Sequence, residues 1–141
     1  MSSVNLLTDW RVDVKAALKV SFPTARVYDG ERPAAQLARD ATIICVFSGG
    51  MTAWGQDVLM AQPTMTIRLW CAQPLSSVEF PADPQPVEQA VIDLANCLKP
   101  LQVTTDGPDY FQVREIRADY QEYGCEALLV GWTRSPMEGG G

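Results

Sequence analysis

Apolar residues recur at Leu7, Trp10, Val14 and Leu18, offsets of 3, 7 and 11 from the first, while Asp9, Arg11, Asp13 and Lys15 fall mostly elsewhere. That period belongs to one face of a helix. The spacing predicts a helix over roughly Asn5 to Val20, stopped by Pro23, which has no N–H to offer and disfavours helical geometry in the residue before it. A short strand, Ala25 to Tyr28, then runs into the turn pair Asp29-Gly30. Thr42 to Phe47 is a continuous β-branched and aromatic run, the pattern of a strand covered on both faces. Ser48-Gly49-Gly50 reads as a turn that breaks this strand and opens an unusually apolar loop holding Met51, Trp54, Val58, Leu59 and Met60, closed by Pro63. From Thr64 to Ala72 the chain alternates strictly: Met65, Ile67, Leu69 and Cys71 share one face of a strand, and Thr64, Thr66, Arg68 and Trp70 the other.

A connector with Pro74, Pro81, Pro84 and Pro86 favours an extended arm or firm linker. The Asp83 carboxylate is placed to cap a second helix whose apolar face is Val87, Ala90, Val91, Leu94 and Leu98, ending at Lys99-Pro100. After the turn Asp106-Gly107-Pro108, Phe111 and Val113 stay in phase with Ile116, Ala118 and Tyr120 only if one extra residue sits near Arg114. A β-bulge is expected there. Tyr123-Gly124 turns the chain into a last strand, Glu126 to Arg134, apolar on both faces, and no internal repeat is present. The order helix, strand, strand, strand, helix, strand, strand implies an α+β fold: a mainly antiparallel four- to five-stranded sheet with two helices packed on one face. One domain over residues 1–134 followed by a flexible tail, 135–141, is expected.

With 141 residues, 47% hydrophobic, the chain is long enough to bury ~68% of its unfolded surface without disulfides or metal. Cys45, Cys71, Cys97 and Cys125 are mutually distant and set among apolar neighbours, so they read as reduced packing residues rather than ligands. Charged residues arrive too early for a signal peptide, and the longest charge-free stretch, Ala41 to Gln56, is too short and polar to span a membrane. A soluble protein made in a reducing compartment is the expectation. The absence of histidine removes Ser-His-Asp and Cys-His nucleophiles and imidazole-bound zinc, and a net charge of −6 disfavours gripping phosphate. Glu115, Asp119, Glu122 and Glu126 are interleaved with Arg114 and Arg117, which suits cross-strand charge pairing better than a carboxylate site. Ser48-Gly49-Gly50 lacks the Lys and Ser/Thr of a phosphate-binding loop. No catalytic, cofactor or metal residues are assigned.

The N-terminal amphipathic helix, the Thr42 to Phe47 strand, the Pro63-Thr64-Met65-Thr66-Ile67-Arg68-Leu69-Trp70 strand, the Pro-Val-Glu-Gln-Ala-Val-Ile-Asp-Leu helix and the closing hairpin together resemble the tail-terminator proteins of long-tailed, siphovirus-like phages. The resemblance spans roughly Asn5 to Arg134 and is one of element order, length and texture. It implies a structural, non-enzymatic virion protein that forms a homo-oligomeric ring, a hexamer in that family. Such a ring caps the tail-tube protein and joins it to a head-neck connector or stopper protein, with DNA passing the lumen unbound. It also implies no membrane partner, assembly in the host cytoplasm and a place in the virion tail. Another head-tail joining or tail-tube component is the nearest alternative, although two helices sit poorly with an all-β tube subunit; a small ligand-binding domain or enzyme is the more distant one. Within this frame the apolar loop has two roles open to it: folding over the sheet as core, or being covered by another subunit. Met51, Trp54, Leu59 and Met60, flexible and aromatic anchors outside the strand period, are the interface candidates.

Overall fold

The computed structural model describes residues 6–30, 41–55, 58–72, 83–102 and 110–136. Its elements are α1 (Leu6–Ser21), β1 (Arg26–Asp29), β2 (Ile43–Trp54), β3 (Val58–Trp70), α2 (Gln85–Leu98) with a 3-10 turn at Lys99–Leu101, β4 (Tyr110–Asp119) and β5 (Gly124–Pro136). The strands form a five-stranded sheet in the order β1-β2-β3-β5-β4, with β1 parallel to β2 and every other pairing antiparallel. The α+β class, the strand count and the two helices are as the sequence patterning implies.

Both helices lie on one face. The even positions of β2 (Ile44, Val46), the odd positions of β3 (Met65, Ile67, Leu69) and Cys125, Ala127 and Leu129 of β5 bury against Val14 and Leu18 of α1 and Val87, Ala90, Leu94, Cys97 and Leu98 of α2. Each large side chain taken fully out of water there contributes about 1.5–3 kcal/mol. The alternation expected for Met65, Ile67, Leu69 and Cys71 is therefore the core face of β3. The opposite face carries a smaller buried group, Ile43, Cys45 and Trp70, flanked by Tyr28 and Phe47.

Local devices hold these elements in place. The Asp83 carboxylate accepts the Gln85 N–H at 3.0 Å, the capping expected at the start of α2, and the Tyr123 hydroxyl donates to the Asp83 carbonyl at 3.3 Å. The phase change in β4 is a bulge at Arg114: pairing steps from Val113↔Leu129 to Glu115↔Leu128. Gly124 is required where β5 begins, since a Cβ there would stand 1.9 Å from the Leu69 carbonyl oxygen.

Three expectations are corrected. Ser48-Gly49-Gly50 does not end the strand. Gly50 adopts φ +133°, and the pairing steps from Ser48↔Met65 to Gly50↔Thr64, so the glycines make a bulge through which β2 continues to Trp54. In consequence the segment read as a loop, Met51 to Met60, is the far end of a β2–β3 hairpin with Met51↔Pro63, Ala53↔Ala61 and Trp54↔Met60 in register. Finally, β5 runs two residues into the expected tail, with Ser135 opposite Leu59 and Pro136 opposite Val58. Residues 137–141, most of the proline-rich connector and the Asp106-Gly107-Pro108 turn lie outside the described residues.

Candidate subunit interface

The hairpin end is three strands wide, because β5 pairs with β3 from Val58↔Pro136 to Ala61↔Thr133. The ladder skips Pro63, which has no N–H to give, and resumes in the same register at Thr64↔Val130. Below that point the strands belong to the buried clusters; above it the described side chains turn outward, with Thr52 and Ala53 exposed. Two of the four candidates share a face. Trp54 and Met60 are cross-strand partners, whereas Met51, opposite Pro63, and Leu59, opposite Ser135, occupy positions on the other face. The candidates thus share one ribbon without forming a single patch. Gly55, at φ +134°, marks its tip.

Sequence reading missed the backbone of this ribbon. Among the described residues, β1 pairs with β2 only from Arg26↔Ile43 to Asp29↔Val46, with a last hydrogen bond from the Gly30 N–H to the Val46 carbonyl at 2.8 Å. From Phe47 to Trp54 the outer edge of β2 has no strand beside it among those residues. The available signal was Gly55 between two apolar runs, a hairpin pattern that the Gly-Gly pair masked.

The helix-free face is organised by charge. Arg68 donates through Nε and Nη2 to one oxygen of Glu126, at 3.0 and 2.7 Å, and its guanidinium lies 5.7 Å from the Phe47 ring centre and 5.9 Å from that of Trp70. Arg117, opposite Glu126 in register, pairs with Glu115 at 2.7 Å, and that hydrogen bond holds the guanidinium's pKa above its usual range. The Asp119 carboxylate accepts the Glu122 N–H at 3.0 Å in the turn. The carboxylates named from the sequence are therefore spread over a paired strand face and a turn, as cross-strand charge pairing requires.

The thiols of Cys45, Cys71, Cys97 and Cys125 are buried and unbridged. Burial, with a smaller contribution from Cys71, pushes the Cys125 thiol up to about 12; burial also raises Cys97, against a hydrogen bond with Ser21. These are the opposite of reactive thiols. A cleft of about 360 Å³ opens between the end of α1 and the start of α2, lined by Leu69, Cys71 and Ala90 at its floor and by Gln85, Gln89 and Asp93. Its polar groups are partly spent on one another: Gln89 Nε2 donates to Asp93 Oδ1 at 2.8 Å, and the Cys71 thiol to the Pro86 carbonyl at 3.6 Å. Among the described residues no three His, Cys, Asp or Glu side chains stand close enough to hold a metal ion, and no helix is long and apolar enough to cross a membrane.

No family model and no curated protein matches the chain. Among solved structures it is similar to the sheath/tube terminator of an extracellular contractile injection system, PVC, in the extended state, at 10% identity and a TM-score of 0.47. The alignment covers 90% of this chain and 56% of that one, so this chain spans little more than half the length of the protein it matches.

Proposed function

We propose that this chain is a structural subunit of a phage-like tail, a terminator that assembles as a closed ring on the end of the tail tube and acts without catalysis. The observation that carries this reading is the three-stranded ribbon: an extended, uncharged stretch of β2 with exposed positions at Thr52 and Ala53 and, among the described residues, no strand along its outer edge. A monomer gains little from displaying such a ribbon, whereas a subunit that must be joined on both sides needs one. The element order, helix, three strands, helix and two strands, supports it too, being the order on which the resemblance to tail terminators rests. The likeness to a solved terminator, at a TM-score of 0.47, adds no weight.

In this reading the ring is a hexamer. Its partners are the tail-tube protein below and a head-neck connector above, and DNA passes its acidic lumen unbound because like charge repels phosphate. The subunit is made in the host cytoplasm and ends in the virion tail. Native mass measurement and negative-stain imaging of the purified chain, alone and mixed with its tube protein, test the proposal. Rings of fixed copy number are expected in at least one condition; a monomer in both, over a wide concentration range, overturns it.

A further inference from the structure

An Asp-Gly pair is open to attack by its own backbone, because glycine sets no Cβ beside the bond and lets its nitrogen close on the aspartate carboxyl carbon. The chain has two such pairs, Asp29-Gly30 and Asp106-Gly107, of which the second lies outside the described residues. The first stands at the end of β1 and is held on both sides of the bond that would form. The Lys15 ammonium, reaching over from α1, donates to Asp29 Oδ2 at 2.7 Å. The Gly30 N–H donates to the Val46 carbonyl at 2.8 Å, next to the Asp29↔Val46 rung of the parallel β1–β2 pair.

We propose that Asp29 is a modification site kept shut by these two contacts: Lys15 and the Val46 carbonyl hold Asp29-Gly30 against closure to a succinimide, and where they let go Asp29 isomerises to isoaspartate. The step needs water alone, and no electrons change hands. The Gly30 nitrogen loses its proton and bonds to Asp29 Cγ, the carboxyl hydroxyl leaves as water, and a second water opens the five-membered imide. Opening at the main-chain carbonyl leaves the peptide running through Cγ, one atom longer. Each contact opposes a different part of this. Hydroxyl leaves only from the protonated carboxyl, and Asp29 is held ionised: the Lys15 hydrogen bond above all, against some desolvation and helped by the charges of Lys15, Arg11 and Lys19, keeps it below the usual carboxylate range. The nitrogen, for its part, must give up a proton that the Val46 carbonyl already holds, and the pairing fixes it in the ladder. A backbone one atom longer cannot keep both Asp29 opposite Val46 and Gly30 bonded to it, so isoaspartate removes the last rung of β1.

The experiment ages the full chain for several weeks in warm neutral buffer and counts isoaspartate by peptide mapping, separately at Asp29 and at Asp106. The parent, Lys15→Gln and the parent unfolded in guanidinium chloride are compared. Isomerisation at Asp29 is expected at least about tenfold slower in the folded parent than in the unfolded chain, tenfold being the change in protonated carboxyl for one unit of pKa. Lys15→Gln should raise the Asp29 rate at least about threefold on the same ground, with the Asp106 rate unmoved. A rise at both sites means that the variant has loosened the whole chain. The folded parent in about 1 M salt, which screens the exposed pair, then takes its place, and Asp29 alone should speed up. Equal Asp29 rates in the folded and unfolded parent overturn the proposal. An Asp29 rate that neither Lys15→Gln nor salt moves overturns it also, since Lys15 then holds nothing.

Discussion

At the scale of single residues, the sharpest constraint is Gly124. Any side chain there drives its Cβ into the Leu69 carbonyl, a backbone atom that cannot swing aside, at the rung where Trp70 pairs with Gly124. Gly124→Ala is expected to cost about 2–4 kcal/mol, measured by urea unfolding of the dilute chain. Cys125 makes a different prediction. Its thiol stays protonated to about 12 in the folded chain, while in the unfolded chain it ionises near pH ~8.5. Above that value the unfolded state binds fewer protons than the native one, so the contribution is whole below pH ~8.5 and is lost as pH rises toward the folded value. Unfolding free energy should fall between about pH 9 and 11, and Cys125→Ala should flatten that slope relative to the parent. The same burial makes the thiols slow: under native conditions a thiol reagent should label the four cysteines far more slowly than in denaturant. The cysteine pattern was legible in the sequence because isolated thiols among apolar neighbours have few fates other than packing. The demand at Gly124 was not, because the atom it must avoid comes from a strand more than fifty residues away.

At the scale of elements, β4 and the β2–β3 ribbon show two treatments of an edge. The Gln102 side chain closes β4 at Val113, and Gln102→Ala should cost about 1 kcal/mol, the usual net value of such a bond, seen as a lower urea midpoint at constant slope. The ribbon predicts the reverse pattern. Its described side chains at Thr52 and Ala53 are exposed, so Trp54→Ala is expected to leave the monomer melting temperature within about 3 °C of the parent. Assembly should weaken by about 2 kcal/mol, or about 30-fold, as for an anchor at a subunit contact. Melting of the dilute chain together with an assembly titration checks both, and a large drop in melting temperature with assembly unaltered returns Trp54 to the core. The helix ends and the bulge at Arg114 were readable because each is a disturbance of a local period. The ribbon was not, since Gly-Gly carries the same local meaning whether the chain turns or merely bulges, and only pairing with β3 decides between them.

At the scale of the whole molecule, net charge sets the condition under which copies meet. Subunits carrying −6 each, if they assemble as the proposed ring, should do so more readily as salt screens their repulsion. Raising salt from about 0.1 M to about 1 M shortens the screening length from ~10 Å to ~3 Å and should lower the concentration needed for assembly, followed by light scattering. A contact built on ion pairs would respond in the opposite direction. The charged ladder of Arg68, Glu126, Arg117 and Glu115 lies on the helix-free face, where salt should weaken each exposed pair only slightly.

Periodicity alone determined the two helices, the strands that carry the core, which face of β3 is buried, and the phase change in β4, because each follows from spacing between near neighbours in the chain. Composition alone removed histidine chemistry and fixed the sign of the molecule's field. Only the tertiary structure decided the strand order β1-β2-β3-β5-β4, the parallel docking of β1, the conversion of an apolar loop into a ribbon, and the split of Met51 and Leu59 from Trp54 and Met60. These depend on which distant segment supplies the hydrogen-bonding partner. A strand's partner is chosen by closing a long loop at an entropic cost that registry and burial must repay together, and no local stretch of sequence records that balance.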